Sequence, residues 1–188
     1  MRFIEKLAAY LRAAPSAHRN RTDLARYLLR RPAIALGHGT YEIGLLASNL
    51  VENRTKMLAS LKAASLVGCE FCLDLGSAAS RRLGVTDADL VALPTYLNSR
   101  VFTDRERLAI ELAEAMTRTP YGVTDNLRMR LAREFSQGQV MELAAQIAWE
   151  NYRGRLNQGV GVRPMGFSDG ATCLRSEAST SGMDSGQA

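Results

Sequence analysis

Two cysteines three positions apart, Cys69 and Cys72, sit where one helical pattern ends and another begins, which ties this part of the chain to a helix–turn–helix. Upstream, Met57, Leu58, Leu61, Ala64 and Ser65 recur at three and four residues, the spacing of one helix face. Gly68 interrupts that run. A second stripe then begins at the cysteines themselves, through Cys72, Leu75, Gly76, Ala79 and Leu83, and Gly84 closes it as glycine does just past a helix C-terminus. Both thiols therefore belong to the first turn of a helix, where unpaired backbone N–H groups and the macrodipole favour an anion. The thiolate is the reactive form of cysteine, and such a setting lowers a thiol pKa from about 8.5 into roughly the 3.5–7.5 range. A redox dithiol is one reading. The other is packing, with Cys72 as a small core residue on the apolar stripe and Cys69 in a tight connection. Structural zinc needs four ligands, usually in two spaced pairs. The chain offers only Cys173, His18 and His38 besides, none in a second pair, so no metal site is expected.

The rest of the chain also keeps a helical period. Phe3, Ile4, Leu7, Ala8 and Leu11 form a short amphipathic stripe, and Leu24, Tyr27 and Leu28 give another turn or two before Pro32. Ala33 to Leu50 reads as a helix flawed by Gly37-His38-Gly39, whose glycines each cost about 1 kcal/mol in a helix. Thr86 to Leu93 is a short helix capped by Thr86 or Asp87. Thr103 with Glu106 is a capping box that opens a helix with Leu108, Leu112, Ala113 and Met116 inward. Leu127, Leu131 and Phe135 form the next inward face. Ser136 with Gln139 opens a further helix through Val140, Leu143, Ala144, Ile147 and Ala148. No alternation of period two runs for four or more residues, so the expected fold class is all-α.

The formal charge of +5 is concentrated near the start. Residues 1–32 hold Arg2, Lys6, Arg12, Arg19, Arg21, Arg26, Arg30 and Arg31 against Glu5 and Asp23. The expected organisation is a basic N-terminal helical arm over residues 1–33, a helical domain over 34–165, and a flexible tail over 166–188 that carries an exposed Cys173. A basic arm can dock on nucleic acid or anionic lipid. This one lacks the interleaved aromatics of a nucleic-acid module, so no nucleic-acid partner is expected. No apolar run approaches the about 20 residues of a membrane span, and the charges within residues 1–14 do not fit a signal peptide. A cytoplasmic location is the expectation. There a Cys-x-x-Cys pair is kept largely reduced and acts by cycling.

Leu66-Val67-Gly68-Cys69-Glu70-Phe71-Cys72-Leu73-Asp74, with its leading helix pattern, resembles the carboxymuconolactone decarboxylase / alkylhydroperoxidase D (AhpD)-like family. The region from Phe102 to Asn157, including Trp149-Glu150-Asn151-Tyr152-Arg153-Gly154-Arg155-Leu156-Asn157, is similar to the downstream helical region of many members. The likeness spans roughly residues 34–165. It implies an AhpD-like multi-helix bundle, assembled as homo-oligomers that are trimers or multiples of trimers, with no cofactor. Its dithiol members reduce peroxides and are restored by a dithiol reductant. By that resemblance the chain is a peroxiredoxin-type antioxidant enzyme in which Cys72 attacks peroxide and Cys69 resolves.

The chain departs from the family where the chemistry is concentrated. The peroxidase members carry a glutamate twelve residues before the first cysteine, a histidine four after the second, and often a histidine directly before the second. Those positions hold Met57, Gly76 and Phe71 here. General acid–base help is typically worth about 10²–10⁴ in rate, so slow or altered chemistry is expected. Residues that would support the pair are Glu70 beside it and Lys62, whose charge would lower a thiol pKa. Asp74 faces away from Cys72. Gly76 either opens space above the thiol or admits a neighbouring helix. Trp149 and Tyr152 are candidate pocket walls, and Arg153, Arg155 and Asn157 are assigned to a helix end or a subunit contact. Two rival readings are a lyase of the carboxymuconolactone decarboxylase kind and a non-catalytic helical oligomer. The enzyme reading requires the two sulfurs to be within bonding reach and open to a visitor.

Overall fold

Local capping chemistry sets most of the helix starts. Thr86, Thr103 and Ser136 each accept a backbone N–H three residues on, while the side-chain oxygens of Asp89, Glu106 and Gln139 accept the backbone N–H of the cap residue. The computed structural model describes residues 2–177, and among these it has helices and no strand. In chain order the helices are α1 (Arg2–Ala13), α2 (Asp23–Leu29), α3 (Pro32–Ala47), α4 (Asn53–Val67), α5 (Glu70–Ser80), α6 (Asp87–Ala92), α7 (Asp104–Thr117), α8 (Asp125–Glu134) and α9 (Gln137–Gly159). Gly37-His38-Gly39 does not break α3, which runs through it.

Helix α4 is the centre. It packs against α5, α7 and α9, and nearly every side chain from Asn53 to Ser65 is buried. Apolar cores lie on both sides of it. One holds Met57, Leu58, Leu61, both cysteines, Phe71 and Leu90, and the other holds Ala59, Ala63, Leu112, Leu143 and Ile147. A helix surrounded in this way must bury its charged residues too, and a buried charge is tolerable only when paired. Buried Lys56 pairs with Glu142 of α9, and half-buried Arg54 pairs with Asp89 and Glu106 at 2.6 and 2.7 Å. At its end Gly68 turns the chain with φ 78°, a left-handed conformation that glycine adopts without a Cβ clash.

The segment read as a basic arm is folded onto the rest. Ala9 and Ala13 of α1 are buried, α1 lies against α5 and α3, and Lys6 Nζ donates to the Leu45 carbonyl at 2.7 Å. The tail expected to begin at residue 166 is also packed as far as it is described. Leu174 is buried and donates its N–H to Ser77 Oγ, while the N–H of Glu177 reaches the Ser65 carbonyl. Residues 178–188 of that expected tail lie outside the described residues.

Helix α3 is the exception to this packing. Its composition is apolar all round, yet Ile34, Leu36 and Ile43 are 51, 69 and 64% exposed. Among the described residues no helix is long and apolar enough to cross a membrane.

Candidate active site

The αL turn at Gly68 delivers Cys69 as the N-cap of α5, with Cys72 three residues on in its first turn. Their Cα atoms are 5.2 Å apart and their sulfurs lie within disulfide-bonding distance. Cys69 Sγ accepts the backbone N–H of Cys72 at 3.2 Å, so the helix N-terminus is directed at that sulfur. Cys72 Sγ receives a different donor, the side-chain Nδ2 of Asn157 at 3.6 Å. The pair meets the first requirement of the enzyme reading and not the second, because Cys69 and Cys72 are only 2 and 4% exposed. Phe71 between them is also buried and meets Phe167 edge-on at 6.2 Å.

The supporting residues expected from the sequence take other places. Lys62 is neither a surface charge nor a spare cation. It is 1% exposed, its Nζ donates to both carboxylate oxygens of Glu177 at 3.0 and 2.8 Å, Glu114 lies at 3.7 Å, and the ammonium sits over the Tyr96 ring. Gly76 does not open space above the thiol: a Cβ there would lie 2.9 Å from Leu61 Cδ2, so the glycine lets α5 seat against α4. Trp149 and Tyr152 wall a different place. Trp149 stacks between Tyr41 and Tyr152, meets His38, and donates its indole N–H to Glu42 at 2.7 Å, which places the aromatic cluster on the α3 side of α9. Trp149 is eight residues before Asn157, about 12 Å along the helix. Met57, at the family's glutamate position, is buried in the apolar core.

Glu70 is exposed and, with Leu73, Asp74, Arg19 and Cys173, lines an open cavity of about 510 Å³ that neither Cys69 nor Cys72 lines. Asp74 faces away from Cys72 as its helical position requires, and it has a task of its own. Its carboxylate accepts the N–H groups of Met165, Gly166 and Ser168 and the Ser168 hydroxyl, all at 2.8–2.9 Å. Burial alone would raise its pKa, but the hydrogen bonds from Ser168, Phe167 and Gly166 outweigh that and hold it below the ordinary value.

Asn157 is the site residue that sequence reasoning misplaced. Gly154 held the clue, since it lies three residues earlier on the same face of α9. A Cβ at Gly154 would sit 3.0 Å from Val67 Cγ1 and 3.5 Å from Cys69 Cβ, so its absence lets α9 press onto the cysteine turn. Arg153 pairs within the chain, with Glu42 of α3 and Glu150 of α9. Burial raises the pKa of Glu150, against the pull of Arg153. Among the described residues no three or more His, Cys, Asp or Glu side chains converge as a metal site.

Residues 38–115 match the carboxymuconolactone decarboxylase family. The uncharacterized protein YnjA of Escherichia coli (strain K12) is 38% identical over 113 residues, which are 60% of this chain and 62% of that protein, so the chain spans less than two thirds of that relative. The uncharacterized protein YdfG of Bacillus subtilis (strain 168) is 25% identical over 114 residues, 60% of this chain and 78% of that one. Among solved structures, Agrobacterium tumefaciens ATU0492, a protein of unknown function proposed as the antioxidant defence protein AhpD, superposes with a TM-score of 0.69 at 24% identity. That match covers 73% of this chain and 94% of the other, and it concerns the fold.

Proposed function

We propose that this chain, which its residues 38–115 make a member of the carboxymuconolactone decarboxylase family and whose helical fold is AhpD-like, is a dithiol oxidoreductase that reduces peroxides through Cys69 and Cys72. The observation that carries the proposal is the pair itself: two sulfurs within bonding distance at the start of α5, each with its own N–H donor. In the reaction Cys72 thiolate attacks a peroxide oxygen, an S–O bond forms, the O–O bond breaks, and the alkoxide leaves and takes a proton. Cys69 then attacks the sulfenic sulfur, the S–S bond forms, and hydroxide departs as water once protonated. A cellular dithiol returns two electrons and two protons and restores both thiols. No cofactor enters the scheme.

The family's titrating relay is replaced here by Met57, Phe71 and Gly76, and both thiols are buried, so the open access that the reaction requires comes only when the covering side chains move, and turnover is slow. The same burial favours a second reading, a helical oligomer that keeps the pair as packing. Peroxide consumption with a dithiol reductant distinguishes them when measured for the native chain, Cys69→Ser and Cys72→Ser. Consumption by the native chain that both serines abolish supports the dithiol enzyme. No consumption, with thiols that resist alkylation after reduction, supports the scaffold. Turnover of a lactone acid that both serines leave intact supports the family's lyase chemistry instead.

Self-association belongs to the same proposal. Helix α3 exposes Ile34, Leu36, Tyr41 and Ile43, and an open groove of about 500 Å³ between α3 and α9 is lined by Tyr41, Gly44 and Met141; together they are a surface suited to a second copy of this chain.

A further inference from the structure

We infer that Asn157 is a catalytic residue, its side-chain N–H holding Cys72 as a thiolate and its carbonyl oxygen receiving the O–H of the peroxide; this rests on the dithiol reading above. Three observations bear on it. Asn157 Nδ2 lies 3.6 Å from Cys72 Sγ. The residue is 2% exposed although it lies two residues before the end of α9. Its Oδ1 is shut off from solvent and has no hydrogen-bond partner.

The amide's orientation follows from the sulfur. A thiolate or disulfide sulfur can only accept, so the NH₂ group turns toward Cys72 and the oxygen of the same amide is left without a donor. Leaving a buried carbonyl unsatisfied is unfavourable, and native proteins seldom do so without a reason. An incoming hydroperoxide supplies the missing donor. With its O–H on Oδ1 and the same oxygen against Sγ, one amide aligns both reactants. The S–O bond then forms as O–O breaks, the electron pair leaves on the alkoxide, and the hydrogen stays on the new sulfenic oxygen, still bound to Oδ1.

The arrangement also explains how the pair works without the glutamate and histidine of its relatives. Cys69 Sγ has the backbone N–H of Cys72 and Cys72 Sγ has Asn157, so each sulfur is held by a neutral dipole. Because an amide does not titrate, attack follows the ionisation of Cys72 alone, and the rate rises with pH in a single step.

The test uses the full chain carrying Cys69→Ser and Cys173→Ser, which leaves Cys72 as its one thiol; serine is itself a good N-cap and keeps the start of α5. Thiolate absorbance near 240 nm, followed against pH, gives the Cys72 midpoint. Adding Asn157→Ala is expected to raise it by about 1–2 pH units, the worth of a hydrogen bond to a charged group. Asn157→Asp keeps the shape while removing the donor and adding a negative charge, so it raises the midpoint further, and it serves where the alanine variant does not fold. An unchanged midpoint in a folded variant of either kind overturns the thiolate role. The peroxide role is read by the rate of disulfide formation on adding hydrogen peroxide after reduction, in the native chain and with Asn157→Ala, at a pH above both thiol midpoints; a slower variant is expected, and equal rates overturn the role of Oδ1. An Asn157-dependent midpoint without peroxide-driven disulfide overturns the peroxide reading and leaves the thiolate role standing.

Discussion

Ser168 gives Asp74 two hydrogen bonds, one from its backbone N–H and one from its hydroxyl, both 2.8 Å long. With the N–H groups of Met165 and Gly166 they form a four-point clasp between the cysteine-bearing α5 and the chain beyond α9. Asp74 therefore decides whether residues 165–168 lie down on α5.

Asp74→Asn is expected to destabilise the fold by about 2–4 kcal/mol at neutral pH, because an amide NH₂ would meet backbone donors that the carboxylate accepts. The pH dependence has a definite sign. The folded-state pKa lies below the ordinary carboxylate value, so the native clasp stabilises fully above that value and is lost as pH falls through the lower folded pKa. Urea denaturation at about pH 7 and about pH 2.5 should show a large difference between variant and native chain at the first and a smaller one at the second.

Gly76 and Leu61 give a second expectation. Alanine at 76 improves helix propensity by about 1 kcal/mol but places a Cβ 2.9 Å from Leu61 Cδ2 in a fully packed core, a strain of about 1–3 kcal/mol. Gly76→Ala should be neutral to destabilising alone and stabilising when combined with Leu61→Val, in a double-mutant cycle of thermal or urea unfolding. For the same reason Gly76→His should not restore a histidine relay; it should lower stability without raising peroxide turnover.

Much of this architecture is legible in the sequence because it is written in local signals. The capping boxes at Thr103 and Ser136, the cap at Thr86, the glycines at 68 and 84, and the three-and-four spacing around α4 each act within one or two turns. The positions of Lys62, Trp149 and Asn157 are not legible, because they depend on which helices meet. Lys62 finds Glu177, 115 residues away, and Trp149 finds Glu42, 107 away. Asn157 reaches Cys72 across 85 residues because Gly154 removes a side chain at the contact. Neither period nor propensity carries such pairings.

The exposed face of α3 predicts assembly. Apolar side chains as exposed as Leu36 and Ile43 are ordinary singly, but these two lie seven residues apart on one face of a helix that also exposes Ile34 and Tyr41. Light scattering after size exclusion should give a mass above the 20.6 kDa of one chain. Leu36→Asp with Ile43→Asp should shift the protein to monomers with its helical circular dichroism unchanged, since neither side chain is part of the core. A native chain that is already monomeric at micromolar concentration would remove the assembly proposal.

Lys6 provides the last expectation. Burial, followed by the nearby Lys56, lowers its pKa from 10.5 to about 8, although Glu142 and Glu42 pull the other way. Its Nζ donates to the Leu45 carbonyl and borders a cavity of about 20 Å³, room for one water, that Tyr10, Glu42, Ser60 and Gln146 also line. The unfolded chain keeps a proton on this amine up to about pH 10 while the folded chain releases it near pH 8, so the unfolded state binds more protons in that window. The contribution of Lys6 to stability therefore rises as pH increases from about 8 to about 10, and below that window the buried charge weighs against folding. Lys6→Met, similar in volume and without a charge, should be more tolerated at about pH 7 than at about pH 10, and its denaturation midpoints should lack the upward slope of the native chain. Parallel pH profiles for the two proteins would show that the amine keeps its ordinary pKa in the fold.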